Sequence, residues 1–148
     1  MALAPGFKKN KGLIYLDIRQ NTFENEGFKH FTESITGLKN LQTLRINGML
    51  MGESEVKILR QLLSHPLCAI ENLEMEELDV QEGMSPGVIN AVSTLKRLLT
   101  FDFSNNRLQP QMNASIVEMI RKYPELQILC LDHGGMTDAM CKTYFEEM

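Results

Sequence analysis

The sequence predicts an α/β fold, a right-handed solenoid of stacked strand–helix units, and three observations carry that prediction. One apolar frame recurs five times. It is complete as Leu13, Leu16, Ile18, Asn21, Phe23 and as Leu98, Phe101, Phe103, Asn106, Leu108; shorter versions read Leu41, Leu44, Ile46, Met51, then Ile70, Leu73, Met75, Val80, then Leu126, Leu129, Leu131, Met136. The frames begin at 13, 41, 70, 98 and 126, so the steps are 28, 29, 28 and 28 residues. A near-constant period in this range marks units that cannot bury their own apolar face and must stack to do so. Behind each frame two apolar slots follow at helical spacing. Phe31, Leu59, Val88, Ile116 and Tyr144 fill the first, and Ile35, Leu63, Val92, Ile120 and Met148 the second.

Residues 13–40 show the expected layout of one unit. Leu16 and Ile18 share a face by the period of two, so Tyr15, Asp17 and Arg19 point the other way on a short strand. Asn21 and Phe23 turn the chain inward, Glu24 to Gly27 lead into a helix bearing Phe28, Phe31 and Ile35 on one stripe, and Gly37 ends it. The same spacing predicts strands near 14–19, 42–47, 71–76, 99–104 and 127–132. Ser85-Pro86 and Thr137 or Asp138 read as helix starts. A helix between consecutive strands forces those strands to run parallel, each right-handed crossover placing its helix on the outside of a curve whose concave wall is the sheet.

Length and composition fit one such domain over 1–148. The chain is 43% hydrophobic with a formal net charge of −4, which gives no general drive toward nucleic acid or an anionic membrane. Lys8, Lys9 and Lys11 form the one short basic cluster. No stretch of ~20 apolar residues or signal-peptide core is present, so no membrane insertion is expected. Cys68, Cys130 and Cys141 are odd in number and lack paired metal-site spacing, which points to a reducing, cytoplasmic compartment without disulfides or zinc. Residues 1–12 align with the tail of a repeat, Phe7 matching Ile35, and Met148 falls inside the fifth helix. Neither end reads as a capping unit, so a piece of a longer array or multidomain protein is expected, with self-association through uncapped ends as a further expectation.

The pattern L-x-x-L-x-L-x-x-N-x-L resembles the leucine-rich repeat family, in its long ribonuclease-inhibitor-like class of alternating 28- and 29-residue units. NOD-like receptors, tropomodulin-type actin proteins and the Ran GTPase-activating protein carry similar arrays. In that family the Asn after the strand bonds neighbouring loop backbone. Here Asn21 and Asn106 match, whereas Met49, Leu78 and Gly134 stand in the other copies and imply that repeats 2, 3 and 5 satisfy those groups differently.

Little in the sequence points to catalysis. Glu74, Glu76, Glu77 and Asp79 lack the closed, dry pocket that acid–base work requires. His30, His65 and His133 fall in different repeats and form no ligand set, so no metal or cofactor is expected. Cys130 faces outward, but nothing nearby lowers its pKa. Gly134-Gly135 lacks a phosphate-loop context, Asn113-Ala-Ser115 sits where a helix should begin, and the ten methionines mostly fill core slots.

Candidate function therefore rests on outward strand positions. The partner-binding residues read from the concave face are Tyr15, Asp17, Arg19, Arg45, Asn47, Glu74, Glu76, Asp102, Ser104 and Asp132. Thr43, Asn72, Thr100, Ile128 and Cys130 complete the columns. Arginines cluster in repeats 1 and 2 and acids in repeats 3 to 5, so the face is expected to be electrically polarised and to orient a protein partner carrying a basic patch. Tyr15, Arg19 and Arg45 are hot-spot residue types. The expected function is a non-catalytic protein–protein interaction module. The alternatives are solubilising residues on an open sheet, the sensing and regulatory repeat domain of a NOD-like-receptor-type protein, and a Ran-type GTPase activator.

Overall fold

The computed structural model describes residues 4–21, 23, 25–80 and 83–147; Glu24 and Met148, each assigned to a helical segment by spacing, lie outside them. In chain order the elements are α1 (Ala4–Lys9), β1 (Tyr15–Asp17), α2 (Asn25–Ile35), β2 (Thr43–Arg45), β3 (Leu50–Met51), α3 (Glu53–Leu63), β4 (Asn72–Glu74), β5 (Asp79–Val80), α4 (Ser85–Val92), β6 (Thr100–Asp102), a single 3-10 turn (Pro110–Met112), α5 (Asn113–Lys122), β7 (Ile128–Cys130) and α6 (Asp138–Glu147).

Five strands form one parallel sheet in the order β1-β2-β4-β6-β7, and each helix packs on the next along the chain. The strands pair one repeat apart, so Leu16, Leu44, Leu73, Phe101 and Leu129 stand side by side. These residues point inward against the helical slots. Leu44, Leu73 and Phe101 are fully buried together with Leu59, Val88 and Ile116. Leu129, on the edge strand β7, stays half-buried.

Each strand spans three residues rather than the six expected, and backbone geometry gives the reason. Residues 20, 48, 77, 105 and 133, one per repeat, turn into the left-handed region, with φ of 57°, 75°, 52°, 57° and 54°. Only Gly48 does so freely; Gln20, Glu77, Asn105 and His133 each bear a strain of roughly 1 kcal/mol. The ladder nevertheless continues beyond the strands. Ile18 N donates to Arg45 O at 3.0 Å and Met75 N to Asp102 O at 2.8 Å, while Gly48 N reaches Glu76 O at 2.9 Å and Asn105 N reaches Asp132 O at 2.7 Å. The six-residue expectation thus traces the hydrogen-bonded ladder.

The turn after each left-handed residue uses the asparagine that follows the strand where it is present. Asn106 accepts from Leu78 N at 2.8 Å and donates to Met75 O and Phe103 O at 2.8 and 2.9 Å, while Asn21 donates to Ile18 O at 2.9 Å. In repeats 2 and 5, which lack the asparagine, that position's carbonyl bonds backbone of the next or preceding repeat: Asp79 N donates to Met49 O at 3.0 Å and Leu108 N to Gly134 O at 2.8 Å, while in repeat 3 the Leu78 N–H is met by Asn106. Met49 and Leu78 fill core instead. A Cβ at Gly134 would lie 2.6 Å from Leu108 Cγ, so glycine lets Leu108 pack there. A second, two-stranded sheet pairs Leu50 with Asp79 and Met51 with Val80, an element the apolar frames do not reveal.

Two helix starts refine the sequence reading. Ser85 is the first helical residue of α4 with no capping bond from its side chain, because Met84 already has helical backbone. Thr137 rather than Asp138 caps α6, its Oγ1 accepting from Met140 N at 3.3 Å.

Candidate partner-binding face of the sheet

Alternate strand residues point away from the helices and line up in columns. Pairing sets one column as Tyr15, Thr43, Asn72, Thr100, Ile128 and a second as Asp17, Arg45, Glu74, Asp102, Cys130. Two residues further along each repeat come Arg19, Asn47, Glu76, Ser104 and Asp132. All ten residues singled out from sequence stand in these columns. Asn47 and Ser104 depart from the expectation of exposure: each is only 7% exposed, a short side chain sunk among longer charged neighbours.

Repeats 1 to 3 close a charge network. Arg45 Nη1 donates to Tyr15 Oη at 3.0 Å and lies 3.5 Å from Asp17 Oδ2, while Arg45 Nε pairs with Glu74 Oε2. Arg19 grips the same Asp17 through Nε at 3.0 Å and Nη2 at 2.9 Å, and Tyr15 Oη donates to Asp17 Oδ2 at 3.3 Å. The Arg19 guanidinium holds the Asp17 carboxyl at about 2, well below its usual 3.8. Hydrogen bonding to the Tyr15 oxygen and to Glu74 raises the Arg45 guanidinium further above its ordinary value.

Repeats 3 to 5 hold the opposite arrangement. Glu76, Asp102 and Asp132 make no ion pair among the described residues, and Ser104 N donates to Asp102 Oδ1 at 2.9 Å. Burial, then the Asp102 and Glu74 charges, push the Glu76 carboxyl up, against a hydrogen bond from the Asn47 side chain. Burial, then Asp102, Asp132, Glu76 and Glu74, push up the Cys130 thiol, which opposes nucleophilic use. Asn47 Oδ1 is buried and has no hydrogen-bond partner among the described residues. The arginine end is therefore neutralised rather than basic, because Asp17 and Glu74 flank Arg45 in its own column, and the excess charge of the face lies on the acids. That alternation of sign, Asp17–Arg45–Glu74, is present in the sequence once the columns are aligned; the buried Asn47 acceptor has no counterpart there.

The remaining candidates stay apart. His30 lies 3.9 Å from Glu26 and 3.7 Å from Glu33 on its own helix, and His65 Nδ1 accepts from Leu67 N at 3.2 Å. Asn113, of the Asn-Ala-Ser sequence, begins α5 and accepts from Tyr144 Oη at 2.6 Å. Among the described residues no group of three or more His, Cys, Asp or Glu is placed to hold a metal ion, and no helix is long and apolar enough to cross a membrane.

No protein-family model matches the chain. The C-terminal domain of tropomodulin from Caenorhabditis elegans superposes with a TM-score of 0.77 over 99% of this chain and 89% of that one at 12% identity, which shows a shared fold alone. In sequence the chain is similar to human NACHT, LRR and PYD domains-containing protein 14, at 28% identity over 119 residues, and to bovine NACHT, LRR and PYD domains-containing protein 5, at 24% over 117. Mouse NACHT, LRR and PYD domains-containing protein 4E is 23% identical over 110 residues. The chain spans about 11% of the length of each of these relatives, while the similarity covers 79%, 78% and 74% of the chain itself. The α/β architecture with its parallel sheet thus occurs in a chain similar, over about three-quarters of its length, to leucine-rich-repeat-bearing proteins.

Proposed function

We propose that this chain is a horseshoe segment of the long ribonuclease-inhibitor-like repeat class, working without catalysis as a surface on which another protein docks. The observation that carries this reading is the contrast between inward and outward strand residues: the inward set repeats, whereas the outward set varies and carries unpaired charge on a rigid, hydrogen-bonded frame. Side chains fixed in this way lose little freedom on binding, so more of the contact energy appears as affinity. The partner presents basic groups to repeats 3 to 5. Similarity to proteins with NACHT, LRR and PYD domains favours a second, compatible reading: a regulatory repeat segment of a larger cytoplasmic signalling protein.

Photo-crosslinking residues placed at Asp102 on the sheet and at Lys57 on α3 test the docking surface. Capture from the sheet position, followed by loss of the captured partner's affinity on Asp102→Lys, supports the proposal. Capture from Lys57, with affinity lost on Lys57→Glu or Arg60→Glu, moves the working surface to the helices and overturns it. Acceleration of GTP hydrolysis by a GTPase would replace the non-catalytic reading with that of a GTPase activator.

A further inference from the structure

The acids of repeats 3 to 5 stand around one short, buried side chain, that of Ser104. Glu76, Ser104 and Asp132 follow one another in a single column, and Asp102 stands beside Ser104 in the next. Neighbouring strands lie ~4.8 Å apart, so the backbones of Glu76 and Asp132 are about 10 Å apart with only the short serine between them. Each of the two arginines on this face is engaged elsewhere, Arg19 with Asp17 and Arg45 with Asp17 and Glu74. Asn47 adds an observation of a different kind. Its side chain is buried at the position next to Glu76 in the same column, and its Oδ1 is a buried acceptor with no hydrogen-bond partner among the described residues. Leaving such an acceptor unmet is costly.

Resting on the reading that the sheet face binds another protein, we propose that Glu76, Asp102 and Asp132 around Ser104, with Asn47 at their edge, form a receiving site for one arginine or lysine side chain of that partner. Both features ask for the same chemistry. Carboxylates and an orphaned amide oxygen are all acceptors, and a guanidinium or ammonium offers several donors, no acceptor and a compensating charge. Arginine suits the site better, since its fork can bridge two acids while a further N–H turns toward Asn47. A water molecule could meet Asn47 but would leave three like charges facing one another.

The test uses the whole chain, 15N-labelled, titrated with a short glycine-flanked arginine peptide, the same peptide with neutral citrulline in place of arginine, and free spermidine. Saturable amide shifts centred on Glu76, Asp102 and Ser104, at least tenfold weaker with citrulline and with a Glu76→Gln/Asp102→Asn double variant, support the site. In a chain carrying Cys68→Ser and Cys141→Ser, the Cys130 thiol should also titrate at lower pH once the arginine peptide is bound. Equal shifts with citrulline, shifts centred on Asp17 and Glu74, or preference for spermidine over the peptide overturn it. The docking reading is tested separately by the captured partner. If its affinity falls on Tyr15→Ala or Thr100→Ala but not on the double variant, the sheet face stands and the receiving site falls; if it responds only to Lys57→Glu and Arg60→Glu, both fall.

Discussion

The two ends of the sheet face both carry acids on outward strand positions, and those acids behave in opposite ways. Around β1, β2 and β4, acids and arginines alternate along one column, so each charge meets its counterpart and Asp17 is held ionised far into acid. From Glu76, just beyond β4, across β6 and β7 to Asp132 no base interrupts the outward acids, and burial with the Asp102 and Glu74 charges pushes the Glu76 carboxyl up. An aspartate in the first region completes the protein's own structure, while one in the second makes no ion pair among the described residues. Chemical type alone does not distinguish structural from interacting charge; the neighbour one repeat away does.

The largest effect comes from the apolar layer beneath both regions. Leu73→Asp, placing a charge where exposure is zero, should abolish the cooperative thermal transition followed by circular dichroism, whichever end of the face is otherwise intact. Arg45→Ala should be the most damaging change on the face, lowering stability by roughly 1 kcal/mol in urea unfolding, because Tyr15, Asp17 and Glu74 lose their shared partner. A stabilising Arg45→Ala would break the comparison.

Acid titration separates the two regions by sign. Asp17 has a folded-state pKa below its unfolded value, so its contribution is present above about 3.8 and lost as pH falls through about 2. Glu76 is raised, so its contribution is present below its ordinary value of 4.5 and lost as pH rises through the folded value. Melting temperatures at pH 7, 4 and 2 should therefore show Asp17→Asn destabilising at neutral pH and converging with the unmodified chain in acid. Glu76→Gln should be slightly stabilising at pH 7 and without effect at pH 2. The smallest change belongs to Asp132→Asn: at an exposed site outside the ion pairs of the described residues it should shift stability by less than about 0.5 kcal/mol.

The period exposed the parallel sheet, its order and every column, because burial of one residue per repeat is a strong and repeated constraint. Strand length was less legible, since the left-handed turn falls on Gln20, Gly48, Glu77, Asn105 and His133, and only one of these residue types is the one usually chosen for that conformation. The pairing of Leu50 with Asp79 left no trace for a similar reason: a two-residue backbone contact imposes no apolar pattern. At the candidate site the charges could be read and aligned. What could not be read was the burial of Asn47 and Ser104, which depends on how far the longer side chains around them fold over the sheet.

The uneven step of 29 residues can be located. From each inward strand residue to the helix residue above it the distance is constant at fifteen positions: Leu16 to Phe31, Leu44 to Leu59, Leu73 to Val88, Phe101 to Ile116, Leu129 to Tyr144. The returns are nine positions long except from Leu63 to Leu73, which takes ten and runs past the exposed Leu67. Outgoing and returning halves thus differ in how they tolerate changes of length. A residue inserted beside Leu67 lengthens a surface return that has already absorbed one, whereas the same insertion inside α4, between Ser85 and Val88, would rotate the rest of the helix by about 100° and turn its apolar stripe out of the core. Gains and losses of single residues in chains of this kind should accumulate on the returning side.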